Sequence, residues 1–365
     1  MHPRLTAIYH VRCNARSIAE RAQAIAVEQS VEMPLVAVAD DYVTREIVGQ
    51  VADIREIEPG LFEVAITLSV ATVGDDPGQL INMLFGNTSL HADVVLHDVK
   101  LPDAFVAAFS GPRHGLGGLR ARVSAPARAL TCSALKPQGM PAQKLAALAV
   151  KFAMGGIDYI KDDHGLADQR YSPFDARVEA VTTALKAGAP QSAARYVPSL
   201  SGDLDSMRAQ IKFAAAAGVD TVLIAPMVAG LANFHRLVRE NPGIAFLAHP
   251  SMAGAARIAP PCLLGTLFRL LGADAVIFPN HGGRFSYTPE TCRALAQAAL
   301  ADWHGLRPCV PVPAGGMTTE RVAEMLEFYG CDVMLLIGGN LLEAREQLVE
   351  ATAAFVAKVH GGGHG

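Results

Sequence analysis

The stretch Gly155–His164, GGIDYIKDDH, decides how this chain is read. Gly155-Gly156 ends a helix, Ile157-Asp158-Tyr159-Ile160 reads as a short buried strand, and Lys161-Asp162-Asp163-His164 stands where that strand stops. Alternate side chains of a strand share a face. Lys161 and Asp163 therefore point the same way, with His164 just beyond. A lysine, a carboxylate and an imidazole converging at a strand end suit metal binding or proton transfer. The plain alternative is a solvated charge run, and the sequence on either side argues against it.

From residue 129 onward, short apolar strands alternate with amphipathic helices. The spacing predicts strands at 129–135, 157–161, 195–200, 221–225, 244–249, 275–278, 309–314 and 333–337. Helices are expected between them, at 142–153, 175–187, 204–217, 231–240, 261–271, 289–301 and 319–328, with a last one from about 341 to 359. Eight such units suit an α/β fold with a (β/α)8 barrel. Runs rich in Val, Ile and Ala suit a parallel sheet buried on both faces. An open doubly wound sheet is the alternative. Residues 1–125 read as a small α+β, ferredoxin-like unit, with Gly111–Gly118 as a plausible linker, so the expected division is 1–125 and 126–365.

A barrel carries its catalytic groups at the C-terminal ends of its strands. Lys136-Pro137-Gln138 follows the first strand here, Lys161-Asp162-Asp163-His164 the second and His249-Pro250 the fifth. Asn280-His281-Gly282-Gly283-Arg284 follows the sixth, Gly315-Gly316 the seventh and Gly338-Gly339-Asn340 the eighth. Nearly all the distinctive polar and glycine-rich chemistry thus falls on one rim.

Composition narrows the function classes. A 51% hydrophobic and 18% charged chain can bury a full core, and a net charge of −4 gives no basic footprint for nucleic acid. Cysteines 13, 132, 262, 292, 309 and 331 are scattered without a CxxC, which suits reduced thiols in a cytoplasmic protein. No apolar run is long enough to span a membrane, and the N-terminus lacks an apolar signal core. The terminal HGGGHG is expected to fray.

Taken together, these motifs resemble the RuBisCO superfamily, specifically the RuBisCO-like (form IV) proteins. The family's Gly-Gly, short strand and Lys-Asp-Asp-Glu read here as GGIDYIKDDH, its Lys-Pro-Lys as Lys136-Pro137-Gln138, and its approach to the barrel as GPRHGL at 111–116. The resemblance implies that Lys161 is carbamylated by CO2 and, with Asp163, binds Mg2+. The third ligand, normally Glu, would be His164, and an imidazole there makes Mn2+ or Zn2+ more competitive. Lys136 matches the lysine that moves the proton during enolisation. Glu28 in VEQS and Asn87 in LFGN match residues lent to a partner's site, which implies a homodimer with shared active sites. Arg284 matches the lysine of the mobile loop after the sixth strand. Gly315, Gly316, Gly338 and Gly339 match a backbone cradle for one phosphate. His249 and His281 would be acids or substrate contacts, or simply satisfied rim histidines.

Three departures argue against carboxylation. Gln138 replaces a lysine that works on the CO2 adduct, Pro250 replaces the arginine that clamps a second phosphate, and Ala314 replaces a serine. What remains suits metal-dependent enolisation of a keto-sugar phosphate or a 3-oxo sugar acid. Decarboxylation or C–C cleavage in carbohydrate catabolism is the leading expectation. An isomerase or enolase of methylthioribose salvage and a non-catalytic barrel that binds a phosphorylated metabolite are the alternatives.

Overall fold

Alternation sets the first sheet. In β1 (Arg4–Arg12) Leu5, Ala7, Tyr9 and Val11 are fully buried while the residues between them are half-exposed. β2 (Gln50–Glu58), β3 (Leu61–Ser69) and β4 (Val94–Lys100) complete an antiparallel sheet in the order β2-β3-β1-β4, with Tyr9 opposite Val64. Helices Ile18–Glu28 and Pro77–Phe85 give the expected ferredoxin-like βαββαβ order. Asp76 caps the second helix, accepting from the Gly78 and Gln79 amides. The computed structural model describes residues 2–125 and 127–362, so the glycine-histidine tail lies, from 363 on, outside the described residues.

The chain divides into two compact units. One runs through Ser110 and takes in Met252–Leu263; the other holds Gly111–Ser251 and the chain from Leu264 onward. Within the first unit the returning segment pairs with β4, where the Ala259 amide donates to the Leu96 carbonyl at 2.8 Å. The division after Ser110 replaces the expected boundary at 125. Gly115–Arg122 is a helix rather than a linker, and its Leu116 and Leu119 belong to the core of the second unit.

That second unit is the barrel. Its strands are β5 (Leu130–Leu135), β6 (Tyr159–Asp162), β7 (Arg195–Val197), β8 (Thr221–Ile224), β9 (Ala245–Ala248), β10 (Ala275–Pro279), β11 (Val310–Ala314) and β12 (Met334–Ile337). They form two parallel runs, β12-β5-β6-β7 and β8-β9-β10-β11. A parallel Ser199–Leu223 bridge joins β7 to β8, and β11 lies against β12, which closes the ring. Leu130, Cys132, Tyr159, Val197, Leu223, Leu247, Ile277, Val312 and Leu336 fill the interior, and the Tyr159 hydroxyl donates to the Leu119 carbonyl. Two expected helices differ in form. The one at 261–271 opens as a wide-turn helix, Pro261–Leu267. The last begins at Leu348, after a short turn of helix at Gly339–Leu342. Among the described residues no helix is long and apolar enough to cross a membrane, and all six cysteines are free.

An ion pair secures the start of β6. Arg128 grips the Asp158 carboxylate through two hydrogen bonds of 2.7 Å, and the Thr131 amide and hydroxyl donate to the same group. Burial would raise this carboxyl, but these donors outweigh it and hold it at about 2, below the ordinary 3.8. A depressed folded-state value adds stability above the unfolded value, and that stability is lost as pH falls through the folded one. Asp158→Asn is therefore expected to lose on the order of 2 kcal/mol near neutral pH. The gap from wild type should close between about pH 4 and about pH 2. Urea unfolding at several pH values checks this, and parallel curves for the two proteins would contradict it.

Candidate active site

The interior register builds the site. Tyr159 faces the barrel core, so Lys161 and Asp163, two and four residues on, face the same way at the mouth. Leu130 and Cys132 place Lys136 inward on the same count, and Ala245 and Leu247 place His249. The Lys136 ammonium pairs directly with Asp163 Oδ1. His164 Nδ1 lies 3.6 Å from that oxygen. The Gln138 amide donates to Asp163 Oδ2 at 3.3 Å and packs on Gly165, where any Cβ would strike it. Gln138 therefore holds the carboxylate rather than leaving a gap.

The electrostatics follow from burial and pairing. Lys161 is 3% exposed and donates to the Asp162 carbonyl at 2.8 Å. Burial lowers its pKa, with the neighbouring Lys136 charge acting in the same direction. Burial also works against the Asp163 carboxylate, but the neighbouring His164 and the paired Lys136 keep it well below the usual range. The His249 ring stacks on His164 with centroids 4.4 Å apart and planes at 11°. Burial, then the Lys161 charge and His164, push His249 down to about 2, so it is neutral.

The remaining expected residues fall into separate groups. His281 follows β10. β10 ends at Pro279, the alternation lapses, and the ring turns onto Phe328 at 4.6 Å, its Nε2 buried with no partner among the described residues. Arg284 is exposed and lies over the Phe285 ring at 5.2 Å. Gly315 and Gly316 both have φ +80°, a left-handed turn that favours glycine. At Gly338 and Gly339 an added Cβ would meet nothing, so backbone faces open space there. In the first unit, the Asn87 side chain donates to Glu28 at 2.9 Å and to Glu32 at 2.8 Å. Buried Gln29 ties the end of the helix carrying Glu28 to the Met83 carbonyl and the Thr88 amide.

One network was not anticipated from the sequence. Asp162, facing outward between the two inward site residues, accepts from Arg177 at 2.9 Å, from the Tyr196 hydroxyl at 2.8 Å and from the Ser199 amide at 3.0 Å. Arg177 also donates to the Ala167 and Ser172 carbonyls, fastening the loop that carries His164. Burial pushes the Asp162 carboxyl up, while Arg177, Ser199 and Tyr196 pull against it. The sequence signal was an arginine set among Phe174, Val178 and Val181 on the buried stripe of its helix.

Among the described residues, no group of three His, Cys, Asp or Glu side chains could hold a metal ion. The donor set fits a divalent ion once Lys161 supplies oxygens as a carbamate, which forms on a neutral amine of the kind burial favours. Asp163, the carbamate and the His164 ring would then be the ligands.

Comparison with known proteins gives the family. Residues 115–344 match the family described as ribulose bisphosphate carboxylase large chain, catalytic domain. The chain is 59% identical over 364 residues to the 5-methylthioribulose-1-phosphate isomerase of Rhodospirillum rubrum, covering 99% of this chain and 97% of that protein. It is 32% identical to the 2,3-diketo-5-methylthiopentyl-1-phosphate enolase of Geobacillus kaustophilus, over 81% of this chain and 74% of the other. The crystal structure of a RuBisCO-like protein from Rhodopseudomonas palustris matches with a TM-score of 0.93 at 50% identity, covering 98% of each chain. The chain belongs to the ribulose bisphosphate carboxylase large-chain family, as an enzyme of its RuBisCO-like branch.

Proposed function

We propose that this chain is a cytoplasmic proton-transfer isomerase acting on a ketose monophosphate of the 5-methylthioribulose 1-phosphate type. The observation that carries the reading is the Lys136–Asp163 pair set beside the buried Lys161 amine at the barrel mouth. Isomerisation removes a proton next to a carbonyl and returns it at a neighbouring carbon. The Lys161 amine or its carbamate takes the proton from carbon, and Lys136, paired with Asp163, returns one at the neighbouring carbon. His249, neutral, faces the same space. A single phosphate would sit on the backbone amides of Gly315-Gly316 and Gly338-Gly339. Arg284, on its exposed loop, would approach from above. His281 has a packing role against Phe328 in this reading, not a chemical one.

Mg2+, or Mn2+ or Zn2+ if His164 is a ligand, is the ion proposed for Asp163 and carbamylated Lys161. When bound, it polarises the carbonyl and acidifies the adjacent C–H. Loss of CO2 or C–C cleavage of a 3-oxo sugar acid would use the same residues. The relatives' names as isomerase and enolase favour proton transfer without carbon loss.

Turnover of 5-methylthioribulose 1-phosphate in deuterated water tests the proposal. The expected product is an isomer carrying solvent deuterium, with all carbons retained and no phosphoglycerate formed from ribulose bisphosphate and labelled CO2. Release of a one-carbon unit would favour the lyase. Binding without deuterium uptake would favour a metabolite sensor.

The proposal includes a homodimer in which Glu28 and Asn87 complete the partner's site. Glu28→Ala and Lys161→Ala are each expected to be inactive alone and to regain activity when their subunits are exchanged, because one site of the mixed dimer is intact. Steady-state assay of the mixture checks this. A fully active monomer in sedimentation would exclude it.

A further inference from the structure

Ser251 belongs to neither the family motifs nor the proton-transfer set. Its backbone N–H donates to His249 Nδ1 at 3.2 Å, and its Oγ lies 2.8 Å from the same nitrogen. A backbone N–H can only donate, so Nδ1 must accept. A neutral imidazole that accepts at Nδ1 carries its single proton on Nε2. The Ser251 hydroxyl therefore also turns its hydrogen toward Nδ1. Pro250 between the two residues restricts the backbone, and the stack on His164 sets the ring plane. The ring is held from two sides, and only its far nitrogen is left to offer a proton.

We propose that Ser251 is a positioning residue that locks His249 in its Nε2–H tautomer, so that His249 donates a hydrogen bond to a substrate oxygen and does not take a proton from carbon. Such a donor strengthens its bond as the carbonyl oxygen becomes an enolate. Proton removal is then left to Lys161 or its carbamate. The substrate part of this inference rests on the isomerase reading; the tautomer does not.

The test uses the full chain labelled with 15N-histidine. Long-range proton–nitrogen spectra are recorded for wild type, for His249→Gln to identify the signal, and for Ser251→Ala and Ser251→Thr. In wild type the His249 signal should show a bare Nδ1 and a protonated Nε2. Ser251→Ala loses the shorter of the two donors and keeps the backbone N–H, so it should raise the minority Nδ1–H tautomer and lower kcat for deuterium exchange about tenfold, with KM changed less than about twofold. Ser251→Thr, which keeps the hydroxyl, should restore both. A protonated Nδ1 in wild type would overturn the proposal, as would a Ser251→Ala protein with unchanged tautomer and kcat. A locked tautomer in a protein that does not turn the ketose phosphate over would uphold the lock and overturn the isomerase reading alone.

Discussion

Lys161→Ala is expected to lower turnover by about a thousandfold or more, the range seen when a positioned proton-transfer group is removed. The register leaves little room for substitution. Tyr159 and Lys161 share the inward face of β6, the amine is buried, and among the described residues its hydrogen bond goes to the Asp162 carbonyl. No other amine occupies that point, because Lys136 is already committed to Asp163. Whether Lys161 carries the proton or, as a carbamate, supplies oxygens to a metal, alanine removes the group. Lys161→Arg should not rescue it. A guanidinium stays protonated at any working pH, so it can neither exchange a proton nor take up CO2. Deuterium exchange on folded protein is the measurement, with thermal unfolding alongside. A Lys161→Ala protein of full activity would remove the centre of the argument.

The second large effect is on stability. Arg177→Met is expected to destabilise the barrel by about 3–5 kcal/mol, because it leaves a buried carboxylate without its cation. Arg177 and Asp162 are both 0% exposed. The substitution also strips the Ala167 and Ser172 carbonyls of their donor. The double variant Arg177→Met with Asp162→Asn should recover part of the loss, since no unpaired charge then remains. That recovery is a coupling energy between neighbours and is read from urea unfolding of all four proteins. A single-variant loss below about 1 kcal/mol would show that the pair does not carry the loop.

The fold was legible because period-2 burial and repeated strand–helix units survive in the sequence without any help from contacts. β1 and β3 alternate cleanly, and all eight barrel strands start within two residues of their expected positions. The inward site residues were legible for the same reason, since Lys161 and Asp163 inherit the face of Tyr159. What failed to show was set by irregular backbone. His281 was expected as an acid, a substrate contact or a satisfied rim histidine; what the sequence did not show is that the strand stops two residues earlier and the ring packs on Phe328 of the helix Val322–Tyr329. The domain boundary was misplaced because Gly115, Gly117 and Gly118 read as a linker. In the fold that helix seats Leu116 and Leu119 in the barrel core. Ser251 gave no sequence signal at all, as its role depends on where one backbone amide points.

The glycine turns after β10 and β11 are in direct backbone contact. A Cβ at Gly283 would come within 2.1 Å of the Gly315 carbonyl oxygen, and one at Gly316 within 2.6 Å of the Gly283 Cα. The loop carrying Arg284 and the turn proposed for the phosphate are thus geared together, and neither can be remodelled alone. Substitutions at 283 and 316 should be strongly epistatic, since neighbours in contact do not add. Efforts to retune substrate choice would then do better to exchange both turns as one cassette from a single relative than to randomise either position by itself.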